Sequence, residues 1–213
     1  MILIGQFDSP FVRRLAVSLN VLGMPFTRNP LSVFGDADAM RKLNPLGRVP
    51  ALVLDGGEVL VDSGAILDHL DEVAGPERAL IPRTGKPRRD ALRAIATATG
   101  ASELGVALVF ERLLRPEAKH YRPLIERRRV QIDAALAALD RMADATWIGG
   151  ARPAQTGITA ACMIGYLKLR NPDTFPAGRY PALERLVETA EKLPAFIAAR
   201  PAADETIPAP SRS

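Results

Sequence analysis

Residues 44–70 read NPLGRVPALVLDGGEVLVDSGAILDHL. Two short β-forming runs, VPALVL and GEVLV, flank the turn residues Asp55, Gly56 and Gly57, so this spacing predicts a hairpin. The second strand leads into Asp62 and Ser63. From there Ile66, Leu67, Leu70 and Val73 recur at helical spacing, which predicts a helix over 63–74. Pro50 stands at the mouth of the first strand although proline has no N–H to give to a ladder. Asp62-Ser63-Gly64 opens the helix, where the first amides have no intrahelical acceptor.

Outward from this stretch, MILIG at the start of the chain reads as a strand, 10–23 as a helix and FTRNPL as a second strand; DADAMRKLN supplies a short helix. The order over 1–75 is therefore βαβαββα, an α/β unit. Proline, glycine and charge are concentrated around 76–85, which predicts a linker. Beyond it, over 86–200, alanine-rich amphipathic stretches at 88–114, 123–145, 155–170 and 180–200, the last broken at Pro194, predict an all-helical domain. ITAACMIGYL, residues 158–167, is apolar on nearly every face and marks a helix at the centre of a bundle. The tail PAADETIPAPSRS, 201–213, has little to bury and is expected to be disordered.

Composition narrows the chemistry. The 213 residues are 47% hydrophobic and 24% charged, which suits a soluble globular chain of one or two domains. No basic leader and no apolar run of about 18 residues stands out, so a cytoplasmic location without membrane insertion is expected. Cys162 is the sole cysteine, excluding an internal disulfide and CxxC chemistry, and two histidines, His69 and His120, leave little for a metal site. A net charge of +4 invites a nucleic-acid reading. The basic residues, however, sit beside acidic ones as on solvated helix faces, and only 5% of residues are aromatic, so base-stacking platforms are missing. A mildly positive field still favours a small anionic substrate.

Three element starts carry candidate chemistry. Ser9 precedes Pro10 at the start of the first helix, an N-cap signature. A capping serine accepts a backbone N–H through its oxygen and keeps its own proton to donate. A thiol placed there gains a hydrogen bond to its charged form, about 1.5–3 kcal/mol, and a helix-terminus field of about 0.3–1 kcal/mol. Together these pull a thiol well below its ordinary pKa of about 8.5. At Val49-Pro50, a cis bond is expected to turn the Val49 N–H and C=O outward, where they can pair with a short extended peptide. At Asp62-Ser63 the free amides and the hydroxyl suit a carboxylate, and Asp62 suits an ammonium. Each start also has an ordinary structural reading as a cap or strand opening.

Taken together, SPFVRR, NPLGRVP and DSGAILDHL within a βαβαββα unit, followed by an all-helical half and by YPALERLVETAEKLPAF, resemble the cytosolic glutathione transferase family across almost the whole chain. The resemblance implies a thioredoxin-like first domain with a mixed four-stranded sheet, an all-α second domain and a homodimer. It implies glutathione as co-substrate, no metal, and a small, apolar electrophile as second substrate in a detoxifying transfer. Val49, Asp62 and Ser63 then bind glutathione, Pro50 shapes the turn, Arg48 meets a glutathione carboxylate, and Ser9 stands where the activating group is found. Serine rather than cysteine at position 9 disfavours disulfide exchange. Peroxidase, isomerase or dehalogenase activity on the same site, or a weakly catalytic binding module, are the alternatives. One departure stands out: the bundle's core helix in this family often starts with a Ser/Thr-x-x-Asp capping box, and here Ala154-Gln155-Thr156-Gly157 takes its place, leaving Thr156 as a candidate cap. Cys162 reads as a packed core thiol and His69 as a surface or domain-interface residue.

Overall fold

The computed structural model describes residues 1–150, 152–203 and 205. They divide into two compact units, the first built on Met1–Arg83 and joined by the chain from Glu191 onward, the second on Thr84–Ala190.

The first unit holds strands β1 (Ile2–Ile4), β2 (Thr27–Asn29), β3 (Ala51–Val53) and β4 (Val59–Val61), and helices α1 (Pro10–Leu22), α2 (Ala37–Leu43) and α3 (Ser63–Ala74). The sheet order is β2-β1-β3-β4. β1 pairs β2 in parallel, whereas β1–β3 and β3–β4 are antiparallel with Leu3 opposite Leu52 and Leu52 opposite Leu60. This is the mixed four-stranded, thioredoxin-like sheet the sequence predicts. Strand pleating divides its apolar residues between the two faces. On one face Ile4 and Ala51 pack with Met40 of α2 and with Leu31, Val49 and Val59. α1 and α3 pack against one another, and α1 is buried almost all round, through Leu15, Ala16, Val17 and Leu19.

Two boundaries differ from expectation. The segment expected as a linker over 76–85 is held to the first unit: Asp71 of α3 accepts from the N–H groups of Leu80 (2.8 Å) and Ile81 (3.1 Å), and Arg78 donates to the Leu22 carbonyl. The helical domain expected to run to 200 stops at Ala190, because the chain beyond it packs onto α1. Arg13, only 5% exposed, makes a two-pronged ion pair with Glu191 (2.8 Å on each prong) and donates from Nε to the Ala199 carbonyl at 3.0 Å. Asn20 donates to the Ala195 carbonyl at 3.1 Å, and α9 (Pro194–Ile197) buries Phe196 completely. Residues 204 and 206–213 of the expected disordered tail lie outside the described residues. Glu205 is described and is 5% exposed.

The second unit contains α4 (Gly85–Leu114), α5 (Arg122–Met142), α6 (Thr146–Gly149), α7 (Gln155–Arg170) and α8 (Pro181–Ala190), with 3-10 turns at Glu117–Lys119 and Pro172–Thr174. α7 packs on α4, α6 and α8 and buries twelve of its residues, Cys162 among them, as its apolar sequence predicts. By length and composition an 18-residue window of α4 is apolar enough to cross a bilayer, contrary to the sequence expectation. Its buried Ala94, Ala98, Ala101, Gly105 and Leu108 belong to a helix that packs on α5 and α7. Thr156 does not cap α7: Ala154 is the N-cap residue, with no side-chain cap bond. The helix start is secured by backbone instead, Ala154 N–H donating to the Trp147 carbonyl at 2.9 Å. Gly157 is required there, since a Cβ at that position would lie 2.4 Å from the same carbonyl oxygen.

Candidate functional site

The site residues expected from sequence all lie in the first unit, at the ends of its strands and helices. Ser9 is the N-cap of α1, in an extended conformation (φ −69°, ψ 124°), and accepts weakly from the Val12 N–H at 3.4 Å. That long bond leaves the half-buried hydroxyl with its proton to give. Gly5, at the end of β1 with φ +125°, explains how α1 comes near the hairpin: a Cβ there would lie 2.6 Å from Val12 Cγ2 and 3.0 Å from Val49 Cβ. Only glycine lets the first turn of α1 and the Val49 turn close around the strand end.

The Val49-Pro50 bond is cis, as the sequence predicts. Among the described residues, neither the N–H nor the C=O of Val49 has a hydrogen-bond partner. Buried Asn44 holds the loop before it, donating from Nδ2 to the Arg48 carbonyl at 2.8 Å and accepting from the Leu46 N–H at 3.0 Å. Pro50 is buried and Arg48 exposed, so the turn presents one peptide's donor and acceptor on a fixed frame, with a guanidinium beside it. An extended peptide can bond there as an added strand.

The Asp62-Ser63 corner differs in detail from the sequence reading. Asp62 is the N-cap of α3, and its Oδ1 takes the N–H groups of Gly64 (2.7 Å) and Ala65 (3.2 Å). Those two amides are therefore not open to a ligand. Its backbone is at φ 68°, ψ 126°, an unfavourable region for a residue with a Cβ that costs about 1–3 kcal/mol. What stays open is the Ser63 N–H, which has no acceptor among the described residues, and the second carboxylate oxygen of Asp62. Ser63 is 3% exposed and its Oγ accepts from Arg14 Nη2 at 2.6 Å and Nε at 3.1 Å. With its lone pairs occupied by a cation, the hydroxyl is oriented as a donor.

Arg14 and Asn44 are the site's unanticipated members. Arg14 is visible in sequence only as the second of two arginines in PFVRRLAVSLNVL, an otherwise apolar helix. A charge on such a helix needs a buried partner. Asn44 had no sequence signal beyond its place before Pro45. Among the described residues, His69 forms a single long i,i+3 contact, with Glu72 at 3.9 Å. No cluster of metal-ligating side chains is found among the described residues.

A family profile described as "Glutathione S-transferase, N-terminal domain" matches residues 3–78, and "Glutathione S-transferase, C-terminal domain" matches 122–189. The chain is 30% identical to the "Uncharacterized GST-like protein YibF" of Escherichia coli (strain K12), over 94% of this chain and 98% of that one. It belongs to the glutathione S-transferase family. Within that family it is 29% identical to the maleylacetoacetate isomerase of Pseudomonas aeruginosa, over 92% of this chain and 93% of the relative. A glutathione transferase family member from Pseudomonas fluorescens Pf-5, solved with bound glutathione, superposes with a TM-score of 0.85 at 33% identity, covering 95% and 99% of the two chains. The thioredoxin-like and helical parts described above are those of a glutathione S-transferase.

Proposed function

We propose that the chain is a glutathione transferase that binds glutathione in its first unit and activates the thiol for attack on a small electrophile. The observation that carries the reading is the unpaired Val49 N–H and C=O beside the first turn of α1, which starts at Ser9. Glutathione's cysteinyl residue pairs with Val49 as a short added strand. Its γ-glutamyl carboxylate accepts from the Ser63 N–H and hydroxyl, its ammonium meets the open oxygen of Asp62, and its glycine carboxylate meets Arg48. Pro50 holds the turn.

The sulfur then lies toward Ser9, whose hydroxyl donates a hydrogen bond that favours the thiolate. The thiol proton leaves to solvent. The thiolate forms a carbon–sulfur bond with the electrophile and, with an aryl halide, the halide departs with its electron pair. Rate enhancement comes from a larger thiolate fraction and from holding the two reactants together. The reading carries a detoxifying role, a cytoplasmic location where the glutathione pool is reduced, and no metal.

The Pseudomonas aeruginosa relative supports a second reading, isomerisation of a cis-alkene diacid. There the same thiolate adds to the double bond and leaves again after rotation, so glutathione is regenerated. Calorimetric titration with glutathione, followed by an electrophile panel containing an aryl halide and a maleyl compound, tests both. Transfer consumes one glutathione per product and isomerisation none; absence of glutathione binding at millimolar concentration overturns both.

The reading also carries a homodimer. Within the small-residue run AIATATGASELGVALVF (94–110) of α4, Ala94, Ala98, Ala101 and Gly105 are packed inside the unit, and Ala96, Gly100 and Ala107 stay exposed or half-exposed for close helix contact. Sedimentation at micromolar concentration is expected to give twice the 23.0 kDa chain mass, and a clean 23.0 kDa species refutes it.

A further inference from the structure

The chain beyond α9 returns to the segment that carries Ser9. Glu205 is 5% exposed although it lies in a stretch whose composition predicts disorder. Its Oε1 accepts from the Phe7 N–H at 3.1 Å and pairs with Arg28, and its Oε2 accepts from the Ala202 N–H at 2.8 Å. Arg28, on β2, lies over the Phe7 ring at 3.7 Å from its centroid. Phe7 is itself 5% exposed, and the turn it opens is short: the Ser9 N–H donates to the Gln6 carbonyl at 3.2 Å, and α1 starts at Pro10.

This arrangement has one physical consequence. The segment from Gly5 to Ser9 joins a strand to a helix, and such connections are the mobile part of a sheet unit unless their backbone is tied down. Here a buried carboxylate takes a backbone N–H two residues before Ser9, and a stacked arginine neutralises that carboxylate and covers the neighbouring ring. A charge-assisted bond to a backbone N–H is short and directional, so it fixes the peptide plane as well as its position.

We propose that Glu205 is a positioning residue for catalysis, setting the Ser9 hydroxyl against the glutathione sulfur through the Phe7 N–H. The proposal rests on the role given to Ser9 above. Glu205 touches neither sulfur nor electrophile. Its effect falls on the thiolate rather than on glutathione affinity, because Val49 and Ser63 are held by Asn44 and Arg14 instead.

The test uses the full chain with Glu205→Ala, Glu205→Gln and Ser9→Ala. Three quantities are read: glutathione affinity by calorimetry, the bound thiol's pKa from thiolate absorbance against pH, and kcat with an aryl halide. Glu205→Ala is expected to lower kcat about tenfold or more, raise the bound thiol's pKa, and leave glutathione affinity within about twofold. Glu205→Gln keeps an acceptor for the Phe7 N–H and is expected to recover part of the loss; should the alanine variant fold poorly, the glutamine variant carries the same comparison in weaker form. In a Ser9→Ala background Glu205→Ala is expected to have no further effect on the thiol. If Ser9→Ala raises the thiol's pKa and Glu205→Ala changes only the melting temperature, the positioning role is overturned and the Ser9 reading stands. If Ser9→Ala leaves the thiol unchanged, the Ser9 reading falls and this proposal with it.

Discussion

Arg14 of α1 donates two hydrogen bonds to the Ser63 hydroxyl at the start of α3, at 2.6 and 3.1 Å, with both residues almost fully buried. Ser63 is thus a structural acceptor and, on the function proposed above, a ligand group as well. Ser63→Ala removes a donor to the glutathione carboxylate, so affinity is expected to fall roughly tenfold to a hundredfold, about 1.5–3 kcal/mol. It also removes an acceptor from a buried guanidinium, at a cost of about 1–3 kcal/mol in stability. Calorimetry and urea unfolding on one preparation read the two effects. A variant that loses affinity at unchanged stability contradicts the Arg14 contact.

Ser9→Ala addresses chemistry instead. Turnover with an aryl halide is expected to drop and its pH profile to move upward, with glutathione binding near neutral pH little changed. The cap bond to Val12 is long, 3.4 Å, so the stability loss should sit at the low end for capping serines, about 0.5 kcal/mol. An unchanged pH profile removes Ser9 from the mechanism.

Gly157→Ala tests the start of the bundle's central helix. The added methyl would lie 2.4 Å from the Trp147 carbonyl oxygen and 2.8 Å from Ile148 Cδ1, so α6 and α7 must separate. The expected loss is about 1–3 kcal/mol. Trp147 is the only tryptophan, and its emission reports the same displacement. A variant as stable as the parent, with unshifted emission, shows that the two helices can part without cost.

Tyr180 makes the second unit sensitive to alkali. Burial, reinforced by a hydrogen bond to Asp133 Oδ1 at 2.5 Å, pushes its phenol up to about 12. In the unfolded chain the phenol ionises near pH 10. The native state therefore keeps a proton that the unfolded state loses, and stability falls as pH rises from about 10 to about 12. The stability difference between the parent and Tyr180→Phe is expected to be constant below pH 10 and to shrink above it, followed by urea midpoints. A constant difference to pH 12 overturns the assignment.

Local pattern was enough to place most elements. Helix α3 begins and ends at the residues its periodicity predicts, α7 likewise, and the βαβαββα order follows from alternating runs and turn residues. The stretch expected at 123–145 ends early, α5 stopping at Met142, and α6 at Thr146–Gly149 was not foreseen; 180–200 divides into α8 and α9, the latter opening at the expected break, Pro194. The helix starts at Ser9 and at Asp62-Ser63 and the cis turn at Val49-Pro50 were legible because helix starts and an X-Pro strand mouth have local signatures.

What the sequence by itself determined is therefore whatever neighbouring residues decide among themselves: helical and strand periods, the hairpin turn, the cap of α1, the apolar wrap of α7. Tertiary structure alone decided the contacts between residues far apart in the chain. Arg14 meets Ser63 across 49 positions and Phe7 meets Glu205 across 198. A buried charge must find a partner, but the rule that requires one does not say where in the chain it stands. Composition described the tail as having little apolar surface to bury, which is true of 201–213. It could not reveal that one carboxylate there has a half-buried arginine and a backbone N–H to meet, because that pairing exists only once the sheet has formed.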